Sequence, residues 1–179
     1  MRAVSDGDRG MIEFPDLKPD CTSCAALCCV VFAFDRSESF AIDKGAGEVC
    51  PNLSNSGQCN VFDHRSELGF KGCITYTCHG AGQRVTQQVF QGRSWRDDGA
   101  LTQRMGEALS VLRRVHEQLA ILDAAKSLPL SDDHLHELYH LSSELIPADG
   151  WSEESLAAFP IDEMVSRVRA FLQSLRCYV

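Results

Sequence analysis

The residues of this chain that could do chemistry are its thiols. Eight of the nine cysteines lie at Cys21, Cys24, Cys28, Cys29, Cys50, Cys59, Cys73 and Cys78. Thiolate sulfur is a soft donor that selects zinc, copper(I) or iron–sulfur centres over hard cations. A Cys-x-x-Cys turn such as Cys21–Cys24 lets two sulfurs converge on one metal, as in zinc knuckles and cluster sites. Cys28 follows one helical turn later. Cys28 and Cys29 are adjacent, so their side chains point in different directions: one joins the first centre, while the other serves a second centre or packs in the core. Four thiolates complete one tetrahedral zinc or one four-iron cluster. Eight imply two centres, or one centre plus several inert cysteines acting as small buried hydrophobes.

The compartment decides between metal and disulfides. The first twenty residues, MRAVSDGDRGMIEFPDLKPD, are charged and carry two prolines, with no apolar run suited to a signal peptide. No later stretch approaches the length of a membrane span. The expectation is a cytoplasmic protein, where dense thiols serve as metal ligands or redox groups rather than as a disulfide framework. The formal net charge of -8 argues against nucleic acid, which needs clustered Lys and Arg, and against anionic membranes for the same reason.

His79 directly follows Cys78 and is the ninth candidate ligand, because imidazole suits zinc and iron and titrates near neutral pH. His64 is a weaker candidate, with a loop histidine as the alternative. His136 and His140 have the spacing of a helical metal pair but lie opposite the Leu135, Leu138, Leu145 stripe, which reads as a solvated face. His116, at the margin of its own helical stripe, reads as a satisfied core histidine, with a place facing the cysteines as the alternative. Gly80-Ala81-Gly82 lacks the Lys-Ser/Thr of a Walker motif and the GxGxxG spacing, so it reads as a tight turn bringing Cys78 toward the metal. Nothing separates Asp43, Asp63 and Tyr76 from turn and surface residues. Cys177 reads as structural.

Three regions must position these groups. Residues 1–20 read as a flexible leader, with Pro15 and Pro19 holding the backbone extended. Residues 21–95 read as an irregular cysteine-rich metal-binding module. Val30 to Phe34 is there a buried strand or a helix end, residues 35–48 are a polar loop, and Cys73–Thr77 and Arg84–Phe90 are short strands. A stretch so rich in Gly, Asn and Pro needs another cross-link to order it, and metal–thiolate bonds supply one. Residues 96–179 read as a small three-helix bundle. Leu101, Met105, Ala108, Leu109, Leu112, Val115, Leu119 and Leu122 make one stripe, which Pro129 ends. Asp132 or Asp133 caps the next helix, with Leu135, Leu138, Leu141 and Leu145 inward and Pro147 at its end. Ser152 caps a short segment before Pro160. Asp162 caps the last helix, with Val165, Val168, Leu172 and Leu175 inward. The fold class expected is mainly α, with short strands confined to the cysteine module.

The order Cys21-x-x-Cys24-x-x-x-Cys28-Cys29, then Cys50-Pro-Asn-Leu, Gly57-Gln-Cys59-Asn-Val-Phe, Arg65 and Cys73 resembles the zinc- or iron-chelating cysteine-cluster family, which includes flagellin lysine N-methylase. The chain departs at the end of that pattern, where Arg65 is followed by Ser66 and Cys73 comes late. Cys28-Cys29-Val30, Phe40-Ala-Ile-Asp-Lys44, Gly69-Phe-Lys-Gly-Cys73, Cys78-His-Gly-Ala-Gly-Gln83 and Val85-Thr-Gln-Gln-Val-Phe90 are similar to the N-terminal region of bacterial pentapeptide-repeat proteins. This resemblance spans roughly residues 20–125. No pentapeptide run is present, so the surface mimicry of those repeats is not carried over. What the resemblances imply is metal binding.

The expected function is a metal-binding protein with one or two iron–sulfur centres, used in redox or in cluster-assisted modification of a substrate or protein partner. An iron–sulfur-dependent oxidoreductase or protein-modifying enzyme is one form of this. The alternatives are a structural zinc module whose helical surface meets a protein partner, and a metal-handling or sensing protein.

Overall fold

The computed structural model describes residues 13–178, and they are mainly helical. The helices are α1 (Cys28–Val31), α2 (Lys71–Thr75), α3 (Ala81–Arg84), α4 (Leu101–Ala125), α5 (Asp132–Leu145), α6 (Glu153–Ala158) and α7 (Ile161–Ser174). A π-helical turn, Val85–Val89, continues α3, and 3-10 turns cover Cys21–Ser23, Phe62–His64 and Leu175–Tyr178. Among the described residues β pairing is limited to two isolated antiparallel bridges, Phe34 with Lys44 and Leu53 with Cys59.

The organising element is α4. Its stripe from Leu101 through Met105, Leu109, Leu112, Val115 and Leu119 to Leu122 is fully buried, and α5, α6 and α7 all pack on it. One continuous core joins this stripe to Ala25, Leu27, Ala81, Val85 and Phe90, so the cysteine-rich half and the helical half share their apolar interior. Gly106 makes this closeness possible. A Cβ there would lie 3.3 Å from a methyl of Val31, so the missing side chain lets α1 approach α4. Arginine–carboxylate pairs Arg104–Glu153, Arg114–Asp162 and Arg167–Glu144 tie α4 to α6, α4 to α7 and α5 to α7.

The helix starts differ from the sequence reading. Ser131, not Asp132 or Asp133, caps α5, its hydroxyl accepting from His134 N–H. The two aspartates lie in the first turn, where they favour the positive end of the helix dipole. Ser152 caps α6 in a reciprocal box with Ser155. Pro160 precedes α7 without a side-chain cap, and Asp162 pairs with Arg114 instead. The buried face of α7 is Ile161, Met164, Val168, Phe171 and Leu175, with Val165 and Leu172 only half-buried. Met164 and Phe171 are larger than Val165 and Leu172 and fill the core at the same period.

The two expected strands are helical. Cys73–Thr77 falls largely in α2, where Gly72 lies under the Phe40 ring and a Cβ would stand 2.2 Å from it. Arg84–Phe90 is the π-helical turn. Its β-branched residues suggest a strand, but Val85 and Phe90 must both face the core, and a strand would not place them on one side. The wide turn does so through a bond from Phe90 N–H to Val85 O at 3.0 Å. Val30 lies in α1 and Phe34 in the bridge to Lys44, which closes the polar loop between them.

Of the expected leader, residues 1–12 lie outside the described residues. Within residues 13–20, Phe14 and Leu17 lie on the core, and Lys126 Nζ stands 3.9 Å over the Phe14 ring.

Candidate metal centre

α3 and its π-helical extension hold the first cysteine segment in place. Gln83 Oε1 accepts from Asp20 N–H at 2.8 Å while its Nε2 donates to Lys18 O. Gln87 Nε2 donates to Ser23 O, and the Thr86 hydroxyl accepts from Ala25 N–H at 3.0 Å. Trp95 Nε1 donates to Ala25 O at 2.7 Å. Side chains from one helical stretch and its sequel therefore fix the backbone from Lys18 to Ala25. Asp20 opens the 3-10 turn at Cys21 by accepting from the Ser23 and Thr22 hydroxyls, which hold its carboxyl at about 2.

Between Cys24 and Cys28 the chain turns at Ala26, with φ +54°. At the other end of the cysteine region His79 has φ +47°. A side chain in this left-handed region is strained, and the surrounding structure must hold it there. Both strained residues sit one or two positions from a cysteine.

All nine cysteines are free, and none is buried: Cys21, Cys28, Cys73 and Cys177 are exposed, the others half-buried. Free cysteine is ordinarily among the most buried residue types. Here the eight clustered thiols lie beside the core rather than in it. Cys177, read as structural, is exposed on the last 3-10 turn.

The eight thiols occupy one neighbourhood. Cys21 and Cys24 each feel the charge of Cys28 and Cys78, Cys29 acts on Cys28, and Cys73 feels Cys28, Cys50 and Cys59. Burial pushes the Cys24 thiol up to about 11 and raises Cys21 and Cys73, with the neighbouring thiolates adding to it. The adjacent Cys29 thiol, followed by burial, raises Cys28 as well. Without a cation Cys21, Cys24, Cys28 and Cys73 stay protonated at neutral pH. Among the described residues no three cysteine, histidine, aspartate or glutamate side chains converge tightly enough to hold a single ion.

The His79 backbone oxygen meets His116 Nδ1 at 2.5 Å, and the His79 ring acts electrostatically on His116. His116 is buried and satisfied on α4, and it also touches the loop after Cys78, so both sequence readings of it apply. His64 is exposed and pairs with Glu67, and His136 and His140 are exposed on α5.

No family model matches this chain, and no solved structure matches it. It is similar to the uncharacterized protein YybG of Bacillus subtilis (strain 168), with 33% identity over 157 residues. The match covers 88% of this chain and 56% of YybG, so the chain spans a little over half the length of the curated relative it matches.

Four residues that were not among the expected ligands lie about the thiols. Gly82 is the cradle: a Cβ there would lie 2.8 Å from Cys24 Sγ and 3.9 Å from Cys78 Sγ. Tyr76 stands edge-on to Phe32 at 5.3 Å, and its hydroxyl is buried with no hydrogen-bond partner. Its electrostatic neighbours are Cys78, Cys28 and Cys24. Lys44 is buried, donating to Val30 O at 3.2 Å and Gly45 O at 3.0 Å, with Cys50, Cys29 and Cys28 about it. Arg65 donates to Phe62 O and Cys73 O and acts on both Cys21 and Cys73. Arg65 had a sequence signal through its place in the cysteine motif, and Gly82 through the Gly80-Ala81-Gly82 turn beside Cys78. A lone lysine in a polar loop, or a tyrosine between two cysteines, looks like surface until the fold buries it.

Proposed function

We propose that residues 21–78 bind metal through their cysteines, as one or two iron–sulfur centres, and that the protein works in redox or in cluster-assisted modification of a substrate or protein partner. The observation that carries this reading is the gathering of eight free thiols, from short helical turns and the loops between them, into one neighbourhood beside the hydrophobic core. Inert cysteines would be spread through the core, and disulfides would pair them.

The residues suit a thiolate-bound centre in three further ways. The donors are soft and more numerous than one tetrahedral ion needs. Gly82 leaves open the space beside the sulfurs of Cys24 and Cys78. The Tyr76 hydroxyl is a donor lacking an acceptor among those same thiols, and sulfur is an acceptor. A bound cluster would supply one-electron chemistry at a potential set by burial and by hydrogen bonds to sulfur. The protein's own part is to hold the thiolates, through the Gln83–Thr86–Gln87 contacts and the Cys78 loop, and to offset their charge with Lys44 and Arg65.

No helix among the described residues is long and apolar enough to cross a membrane. The reading places the protein in the cytoplasm, where thiols stay reduced, with a protein partner met through the helical surface and no nucleic-acid role. The resemblance to the cysteine-cluster and pentapeptide-repeat families points the same way. The test is anaerobic purification with iron, zinc and acid-labile sulfide analysis and a visible spectrum. Iron with matching sulfide supports the cluster; zinc without sulfide turns the reading to a structural zinc module, and absence of any metal after reconstitution sinks it.

A further inference from the structure

We infer that the eight thiols divide into two four-sulfur centres: Cys21, Cys24, Cys28 and Cys78 form one, and Cys29, Cys50, Cys59 and Cys73 form the other. The inference rests on the metal-binding reading and adds to it the number of centres and the ligands of each.

The division follows the backbone. The first set is built on α3. Gln83, Thr86 and Gln87 hold the segment from Lys18 to Ala25, and Cys78 O accepts from Ala81 N–H at 2.9 Å at the start of the same helix. Cys24 Sγ and Cys78 Sγ both lie within contact reach of a single point above Gly82. Cys28 is the remaining near neighbour of Cys21 and of Cys24, and Tyr76 faces Cys78, Cys28 and Cys24 together.

The second set is built away from α3, on the loops that follow α1. Cys50 N–H donates to Cys29 O at 2.8 Å, which seats Cys50 beside Cys29. Leu53 N–H donates to Cys50 O, and Leu53 is bridged to Cys59, so Cys50 and Cys59 sit at the two ends of one tight loop. Arg65 closes the group by donating to Phe62 O, three residues past Cys59, and to Cys73 O. Lys44 lies on this side, near Cys50 and Cys29.

Cys28 and Cys29 are the hinge between the sets. Successive residues of a helix project about 100° apart, so α1 sends one thiol to each side. Cys28 also acts on Cys73, so the two sets meet at α1. A four-thiolate centre of zinc or of the four-iron type carries net negative charge. Cations lie about both sets: Lys44 beside Cys50 and Cys29, Arg113 near Tyr76, and Arg65 acting on Cys21 of the first set and Cys73 of the second.

The test uses the full chain, purified and reconstituted anaerobically with iron and sulfide, alongside a Cys24→Ser/Cys78→Ser variant and a Cys59→Ser/Cys73→Ser variant. The wild type should hold two centres' worth of metal per chain, and each variant should keep about half of it. Reduced wild type should show a spin-coupled electron paramagnetic resonance spectrum that simplifies in either variant. Metal for a single centre in the wild type overturns the division, as does complete loss in a variant whose helical circular dichroism is intact. If a variant fails to fold, the wild-type stoichiometry and spectrum decide alone. A wild type that takes up no iron or zinc overturns the metal-binding reading itself, an outcome distinct from a single-centre stoichiometry.

Discussion

His116 Nδ1, on the buried face of α4, lies 2.5 Å from the backbone oxygen of His79. A carbonyl only accepts, so Nδ1 carries the hydrogen and donates it. The bond pins the loop after Cys78 to the longest helix, and burial lowers the His116 pKa to about 4. The folded pKa thus lies below the ordinary value of 6.5. Above pH 6.5 neither folded nor unfolded chain carries the proton, and the stability is fully present. As pH falls from 6.5 toward 4 the unfolded chain takes up a proton that the folded chain refuses, and stability is lost by about 3 kcal/mol. His116→Asn keeps a donor near the same place and cannot titrate. Denaturant midpoints at pH 7 and pH 4.5 should therefore converge for the variant while remaining separated for the wild type. Equal separation in both would show that other groups set the acid limit.

Gly82→Ala tests the cradle. Its Cβ would stand 2.8 Å from Cys24 Sγ, in the first turn of a helix whose backbone cannot move without dragging Cys78. The expected result is loss of metal from the Cys24–Cys78 centre, with a stability cost of about 1–3 kcal/mol from overpacking. Gly99→Ala is the control, since a Cβ there meets nothing within 4 Å. Metal analysis should separate the two: Gly99→Ala keeps its complement, and Gly82→Ala does not.

Lys44→Met tests charge balance. A buried ammonium with two carbonyl partners is costly alone, and burial lowers its pKa, while thiolates at Cys50 and Cys29 raise it. Methionine fills the same volume without the charge. The metal-free variant should be at least as stable as the wild type, and the loaded variant should surrender metal to a chelator several-fold faster. Unchanged release would show that Lys44 serves packing alone.

Much of the helical half was legible because one period governed it: α4 buries the stripe that its leucines spell out. What the sequence hid has identifiable causes. The π-helical turn at Val85–Val89 reads as strand because its residues are β-branched, and only the demand that Val85 and Phe90 share one side excludes a strand. The phase of α7 was displaced because Met164 and Phe171 are no more apolar than Val165 and Leu172, and a choice between two adjacent faces is made by the partner helix. Within the cysteine region, spacing marks the thiols themselves. It cannot mark Lys44 or Tyr76, whose roles come from burial beside sulfur and not from any local pattern.

Tyr76→Phe distinguishes a ligand-bearing site from a merely crowded one. The Tyr76 hydroxyl is buried without a partner, near Cys78, Cys28 and Cys24. An unsatisfied buried hydroxyl costs about 1–3 kcal/mol, so removing it should raise the melting temperature of the metal-free protein. In the loaded protein the hydroxyl can donate to a metal-bound sulfur. Such a bond withdraws charge and stabilises the more negative, reduced state, so an iron–sulfur centre in the phenylalanine variant should have a lower reduction potential. The same substitution is therefore stabilising without metal and perturbing with it. Calorimetry of both forms together with a redox titration of the loaded one reads the two effects separately. If the variant gains stability equally in both forms and the potential does not move, the hydroxyl finds no partner in the centre.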